Sequence, residues 1–386
     1  MQFKKTVGLL LSLTLLITML AACGENNTKS DKINEESVAS ETDSVKELAK
    51  DLQKINANLQ AAAKENKQDE VKKIGEKLND QWLTTENKIR DAYPLLYTDV
   101  EKYLLPLYTE VTTDSMDQNK VIELAGSLQD SLGKLENAKE TAMKSSELLD
   151  KAVKNYREYV NDQTEQLVAT TKEFTDAVKA GKIEKAKELY ADARVFYERI
   201  EPIAESFGDL DPKIDARETD VEPADWSGFH RIEKALWKDK SLEGMDKVAD
   251  QLNKDVLALQ EKVKQVDLSP TQVVAGSMEL LNEAAISKIT GEEERYSHID
   301  LVDFAANVEG SQAVYHAIIP ALQEKDSKLA DQLDKQFIAL MDTLNQYKKN
   351  GEYVLYTELT DEQIRDLSSK LSVLSEKMAQ TAAIFQ

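Results

Sequence analysis

Residues 183–207, IEKAKELYADARVFYERIEPIAESF, decide the fold. Ile183, Ala186, Tyr190, Ala193, Tyr197, Ile200, Ala204 and Phe207 recur at three- and four-residue intervals, the mark of a helix with one apolar face. Glu198, Glu201 and Glu205 make one row of acids along the same helix. Glu201 falls about 40° around the axis from Tyr197, at the edge of the buried side. Acids there are costly unless something satisfies them. The ordinary partner is Arg194 or Arg199; the alternative is a metal ion. Pro202 has no N–H to give, so it disturbs the helix and frees a carbonyl at this point.

The same periodicity extends outward over most of the chain, with no sustained strand alternation. Leu48, Leu52, Ile55 and Leu59 form one stripe, Val71, Ile74, Leu78, Trp82 and Ile89 another, and Val121, Leu124, Leu128, Leu132 and Leu135 a third. Residues 45–148 therefore read as an N-terminal helical bundle. From 151 to 386, helices are expected at 151–180, 183–207, 228–239, 241–266, 270–290, 299–324, 325–348 and 360–385. Gly181 and Gly291 act as stops. Ser269 before Pro270, and Thr360 three residues before Gln363, are start signals. The fold class is all-α, built of helical bundles. With 13 Gly and 7 Pro in 386 residues, the composition disfavours a turn-rich sandwich or barrel. One Cys excludes a disulfide scaffold, and a formal charge of −22 excludes a nucleic-acid binder working through a basic surface.

The chain opens with an address. Lys4 and Lys5 precede an apolar run from Leu9 to Leu20, too short and too early for a spanning helix. Residues 1–22 read as a signal peptide ending Leu20-Ala21-Ala22 before Cys23, a lipobox that presents the sole thiol for diacylglyceryl attachment. Residues 23–44 (CGENNTKSDKINEESVASETDS) are polar and read as a flexible tether. The expected location is the extracytoplasmic face of the cell membrane, lipid-anchored rather than spanning. Loss of the leader with its two Lys takes the formal charge from −22 to −24, which attracts cations.

The chemistry-bearing residues are few. Of three His (His230, His298, His316), His230 stands in Gly228-Phe229-His230-Arg231-Ile232-Glu233. On a helix His230 and Glu233 share a face, with Trp237 continuing it. A carboxylate and an imidazole at this spacing are common in helix-bundle metal sites, although HxxE alone also suits a salt-bridged structural His. Before it lies an unusually long loop, 202–228, holding five of the 13 Gly and 7 Pro together with Asp209, Asp211, Asp215 and Glu218. This acidic loop is a candidate funnel or second cation site. A third cluster, Arg295 to Gly310, offers Asp300 as an N-cap, Asp303 and Asn307 as neighbours one turn apart, and Glu309 on the face of His316. A zinc peptidase is disfavoured: HExxH is absent, and HxxEH would need His where Lys234 stands. No GxSxG elbow or phosphate-binding Gly loop occurs. One imidazole among carboxylates suits iron or manganese better than structural zinc.

Three strings, YERIEPIAESFGDLDPKIDARE (197–218), GFHRIEKALW (228–237) and RYSHIDLVDFAANVEG (295–310), resemble the imelysin-like EfeM/EfeO family over about 151–386. The resemblance implies two four-helix bundles with a cleft between them. It implies a secreted, non-enzymatic iron-binding component of a bacterial uptake system, working with a membrane iron permease and a dye-decolourising-type haem peroxidase. Carried over by position, it offers His230, Glu233, Glu198 and Glu201 as metal ligands, with Glu309 a further addition. Ferric iron is expected over ferrous, being the harder acid. Some family members begin with a cupredoxin domain; here the region before 150 lacks the strands, Cys and His for copper, so no copper site is expected. The alternatives are a metal-dependent hydrolase, a lipoprotein binding acidic polysaccharide (disfavoured by like charge) and a structural lipoprotein.

Overall fold

The structure is a computed structural model describing residues 29–386, apart from 114, 139–145, 205, 206, 287 and 386. The expected signal peptide, Cys23 and Glu205 of the acid row lie outside the described residues. Thr42–Gln386 form one compact unit, separate from the residues before it. The described chain is helical, save for a two-residue hairpin pairing Lys348–Lys349 with Glu352–Tyr353 and short π and 3-10 turns. Among the described residues no helix is long and apolar enough to cross a membrane.

Helices α1 (Lys29–Lys64), α2 (Gln68–Leu83), α3 (Glu86–Ala92), α4 (Pro94–Thr112) and α5 (Gln118–Glu136) surround a core from Val45 to Leu135. Helix α1 starts at Lys29, within the segment read from sequence as tether. After Gly24 that segment has neither Gly nor Pro and is rich in Glu and Ser, so no strong breaker stops a helix in it. Trp82 is the centre of this core, stacked 5.4 Å from Tyr97 and donating its indole N–H to Glu101 at 2.9 Å.

The second core runs from Leu149 to Ile384. It is built by α6 (Glu147–Lys179), α7 (Ile183–Ala204), the short α8 (Asp211–Asp215) and α9 (Gly228–Lys234), α10 (Asp246–Gln265), α11 (Pro270–Ile286), α12 (Asp300–Asn345) and α13 (Asp361–Gln380). Gly181, at φ +69°, ends α6 as the sequence suggests. Thr360 and Gln363 form a capping box, and so do Ser269 and Gln272, each donating a backbone N–H to the other's side chain at 3.0–3.2 Å. The helices expected at 299–324 and 325–348 run as one element broken at Asp326 (φ −150°, ψ 83°), whose carboxylate accepts the Leu329 N–H at 2.9 Å like a fresh N-cap.

Helix α7 carries the deciding stripe: Ala186, Tyr190, Ala193, Tyr197 and Ile200 are all fully buried. Its Pro202 leaves the Glu198 carbonyl without an intrahelical donor, and the Asn307 amide takes it at 3.1 Å. Gly276 on α11 and Gly310 on α12 lie against the backbone carbonyls of Pro202 and Arg199, where an added Cβ would collide. Three helices thus converge on one irregular turn.

The two cores meet where α11 packs on α4. Arg90 donates to Tyr97 at 2.6 Å and to Glu279 at 2.9 Å. Burial, reinforced by Glu101, pushes the Glu279 carboxyl up to about 8 against the pull of Arg90. Its folded-state pKa lies above the unfolded value of 4.5. The stability it contributes is therefore complete below pH 4.5 and lost as pH climbs through 8. Glu279→Gln is expected to flatten that loss. Urea denaturation should find it more stable than the parent at pH 9, by on the order of 2 kcal/mol, and little changed at pH 5.

Candidate metal centre

His230 is delivered by α9, and the start of α9 is set by Gly228. At φ +85°, Gly228 presses against the Ile214 carbonyl, a place no side chain could occupy. This seats α9 on α8, so His230 faces Asp215, the last residue of α8. Beyond Lys234 the helix widens into a π turn, Ala235–Asp239, a distortion frequent beside functional sites.

His230 is 1% exposed, and each ring nitrogen looks at a pair of carboxylates. Nε2 lies 3.5 Å from Glu293 Oε1 and 3.6 Å from Asp215 Oδ1, with no hydrogen-bond partner. Nδ1 lies 3.2 Å from Glu233 Oε2 and 4.0 Å from Glu294 Oε1. Asp215, His230 and Glu293 form one group able to hold a metal ion, and His230, Glu233 and Glu294 a second, all of them buried. The carboxylate oxygens suit a hard cation.

Glu293 and Glu294 come from the loop between α11 and α12, which Glu233 fastens. Its Oε1 accepts the backbone N–H groups of Tyr296 at 2.8 Å and Ser297 at 2.7 Å, leaving Oε2 toward the imidazole. Asp300, expected to cap α12, is instead its first residue, and its carboxylate accepts the Glu294 N–H at 3.0 Å. Tyr190 donates to Glu294 Oε1 at 3.0 Å.

Two buried cations balance the acids. Arg194 hydrogen-bonds Asp215 and Glu198, and its nitrogens lie 3.2 Å from Glu294, 3.6 Å from Asp303 and 3.7 Å from Glu293. Lys288 donates to Glu198 and to both oxygens of Glu201, each at 2.8 Å. Asn307 adds bonds to Glu198 at 2.7 Å and Glu201 at 2.6 Å. Burial alone would raise Glu198, but Arg194 and Lys288 draw it to about 2. Glu293 is likewise held well below the usual range, because Lys288, the nearby imidazole and Arg217 outweigh its burial. Burial and the neighbouring Glu233 and Asp303 push Glu294 well above that range. Asp303 rises to about 7, burial outweighing Arg194. Burial and Arg194 pull His230 down, yet its bond to Glu233 and the nearby Glu293 carboxylate leave it raised. The centre thus holds protons that an entering metal would release.

The sequence candidates separate accordingly. His230 and Glu233 come together at the centre. Glu198 joins them through Arg194, and Glu201 joins Glu198 through Lys288 and Asn307. Glu309 stands elsewhere, paired with Arg199 at 2.7–2.8 Å on a cleft of about 480 Å³ that His316 also lines. Of the acidic loop, Asp215 enters the centre, while Asp209 pairs with Lys262, Asp211 accepts from Tyr197, and Glu218 is taken by Lys234 and Tyr296. Sequence reading missed Glu293, Glu294 and Lys288. Three consecutive acids after a Gly read as a solvated loop, and nothing local marks Lys288 as buried.

The family model described as Imelysin matches residues 152–380, which include every residue of this centre. The chain belongs to the imelysin family. Among its imelysin relatives, the iron uptake system component EfeM of Bacillus subtilis (strain 168) is 48% identical over 375 residues, covering 96% of this chain and 97% of that protein. The iron uptake system component EfeO of Escherichia coli (strain K12) is 42% identical over 299 residues, 75% of this chain and 80% of the relative.

Lys288→Met should leave Glu198 and Glu201 short of their buried cation. A loss of about 3–5 kcal/mol is expected by urea denaturation at pH 7, the scale for stripping one partner from a buried ion pair.

Proposed function

We propose that this imelysin-family chain is an iron carrier of a bacterial uptake system. Held by a lipid on Cys23 at the extracytoplasmic face of the cell membrane, it takes up ferric iron at the His230 centre. It then passes the iron to a membrane iron permease, with a dye-decolourising-type haem peroxidase as the partner that oxidises it. The observation that carries this reading is the buried imidazole with carboxylate pairs at both ring nitrogens. The names of its relatives, iron uptake system components, support the cargo.

The protein's own residues explain capture without catalysis. One ring nitrogen of His230 and the carboxylate pair beside it, Asp215 with Glu293 at Nε2 or Glu233 with Glu294 at Nδ1, supply one nitrogen and hard oxygens, a set that favours ferric over ferrous iron. With His230 1% exposed, a peptide substrate has no direct access to the imidazole. Carboxyl protons on Glu294 and Asp303 leave as iron enters, so acidification favours release. In this reading Glu198 and Glu201 shape the centre from behind Arg194 and Lys288, and Glu309 lies outside it.

The test is iron binding by a chain beginning at residue 24, as parent and as His230→Ala/Glu233→Ala. Ferric citrate is titrated in and bound iron counted per chain. The parent should bind tightly and the double variant at least tenfold more weakly. Equal binding would move the metal away from this centre, and no binding in either would remove the carrier reading.

A further inference from the structure

The oxygens that face His230 are the same oxygens that face Arg194. Asp215 Oδ1 accepts from Arg194 and lies 3.6 Å from His230 Nε2. Glu293 Oε1 lies 3.7 Å from Arg194 Nη2 and 3.5 Å from His230 Nε2. Glu294 Oε1 lies 3.2 Å from Arg194 Nε and 4.0 Å from His230 Nδ1. Both candidate metal groups therefore draw on atoms that a fully buried guanidinium already engages.

We infer that Arg194 is an internal counter-cation that iron must displace: loading exchanges one buried cation for another. This deepens, and rests on, the carrier reading. A ligand oxygen sits about 2 Å from a bound metal ion. Iron between His230 and these oxygens would therefore stand within a few ångströms of the guanidinium. Arginine stays charged inside proteins, so it cannot give way by losing a proton. It has to swing off the oxygens of the group that is loaded, Asp215 and Glu293 at Nε2 or Glu294 at Nδ1. Its remaining neighbours, Glu198 and Asp303, are where it can stay. Glu198 is backed by Lys288 and Asn307, which hold that carboxylate whether or not the centre is loaded. Arg194 is thus a positioning residue that keeps the acids folded before loading and sets how tightly iron is held, low enough for onward transfer.

This assigns opposite signs to two measurements on one variant. In the full chain, Arg194→Gln should lower the melting temperature of the iron-free protein and bind ferric citrate iron at least tenfold more tightly than the parent. Arg194→Lys keeps the charge but gathers fewer carboxylates, so it should fall between. A purely structural arginine would lower stability and affinity together. Unchanged or weakened affinity in both variants, with the parent binding iron, overturns the exchange alone; no binding by the parent overturns the carrier reading as well. Should the Gln variant fail to fold, a crystal structure of the iron-loaded parent decides. Arg194 drawn away from Asp215 and Glu293 supports the exchange, and an unmoved guanidinium overturns it.

Discussion

A guanidinium with no exposed surface, set among five carboxylates, is the interaction on which the second half of the molecule is arranged. Taking charges out of water is costly, and a buried acid persists only when a cation or hydrogen-bond donor meets it. Arg194 meets acids from α7, α8, α12 and the loop before α12 at once. That explains why segments far apart in sequence close on the same point. A lysine has one nitrogen, whereas the planar fork of an arginine reaches several oxygens in different directions. Lys288 is used where two acids come from one helix, Glu198 and Glu201.

The backbone is irregular in the same neighbourhood, and each irregularity has an identifiable cause. Pro202 frees a carbonyl that Asn307 takes. Gly276 and Gly310 let α11 and α12 approach that turn more closely than any side chain would permit. Gly228 does the same for α9 against α8, and the π turn follows directly after Lys234. A protein with few glycines has placed three of them against carbonyls around the charged centre. The tight approach holds side chains from several elements in fixed relation, which a site lacking a continuous segment of its own requires.

What could be read from the sequence was local. The three-and-four spacing gave the helices, because burying one face is a property of a single segment. Ser269, Thr360 and Gly181 marked helix ends, because caps are built from residues within one turn. His230 and Glu233 were legible for the same reason, being neighbours on one helix face. Asp300 misled: an acid at a helix start usually caps it, yet here the Glu294 N–H in the preceding loop claims the carboxylate. Glu293 and Glu294 were invisible because an acid's burial depends on which distant cation it meets. Glu309 shows the converse. It has the helical phase of a site residue, but Arg199 holds it at the surface cleft.

The N-terminal core is connected to this centre through one helix face. On α11, Gly276 and Glu279 are three residues apart and so lie on the same side. Gly276 abuts the Pro202 carbonyl on α7, one residue beyond Glu201. Glu279 meets Arg90, which also bonds Tyr97 on α4. A cavity of about 160 Å³ bounded by Arg90, Tyr97, Pro202, Gly276 and Glu279 runs along this face. The contact between α4 and α11 and the turn that carries Glu198 and Glu201 thus lie along one face of α11. The first core is in this sense part of the support of the charged centre, although every residue of that centre lies after position 190.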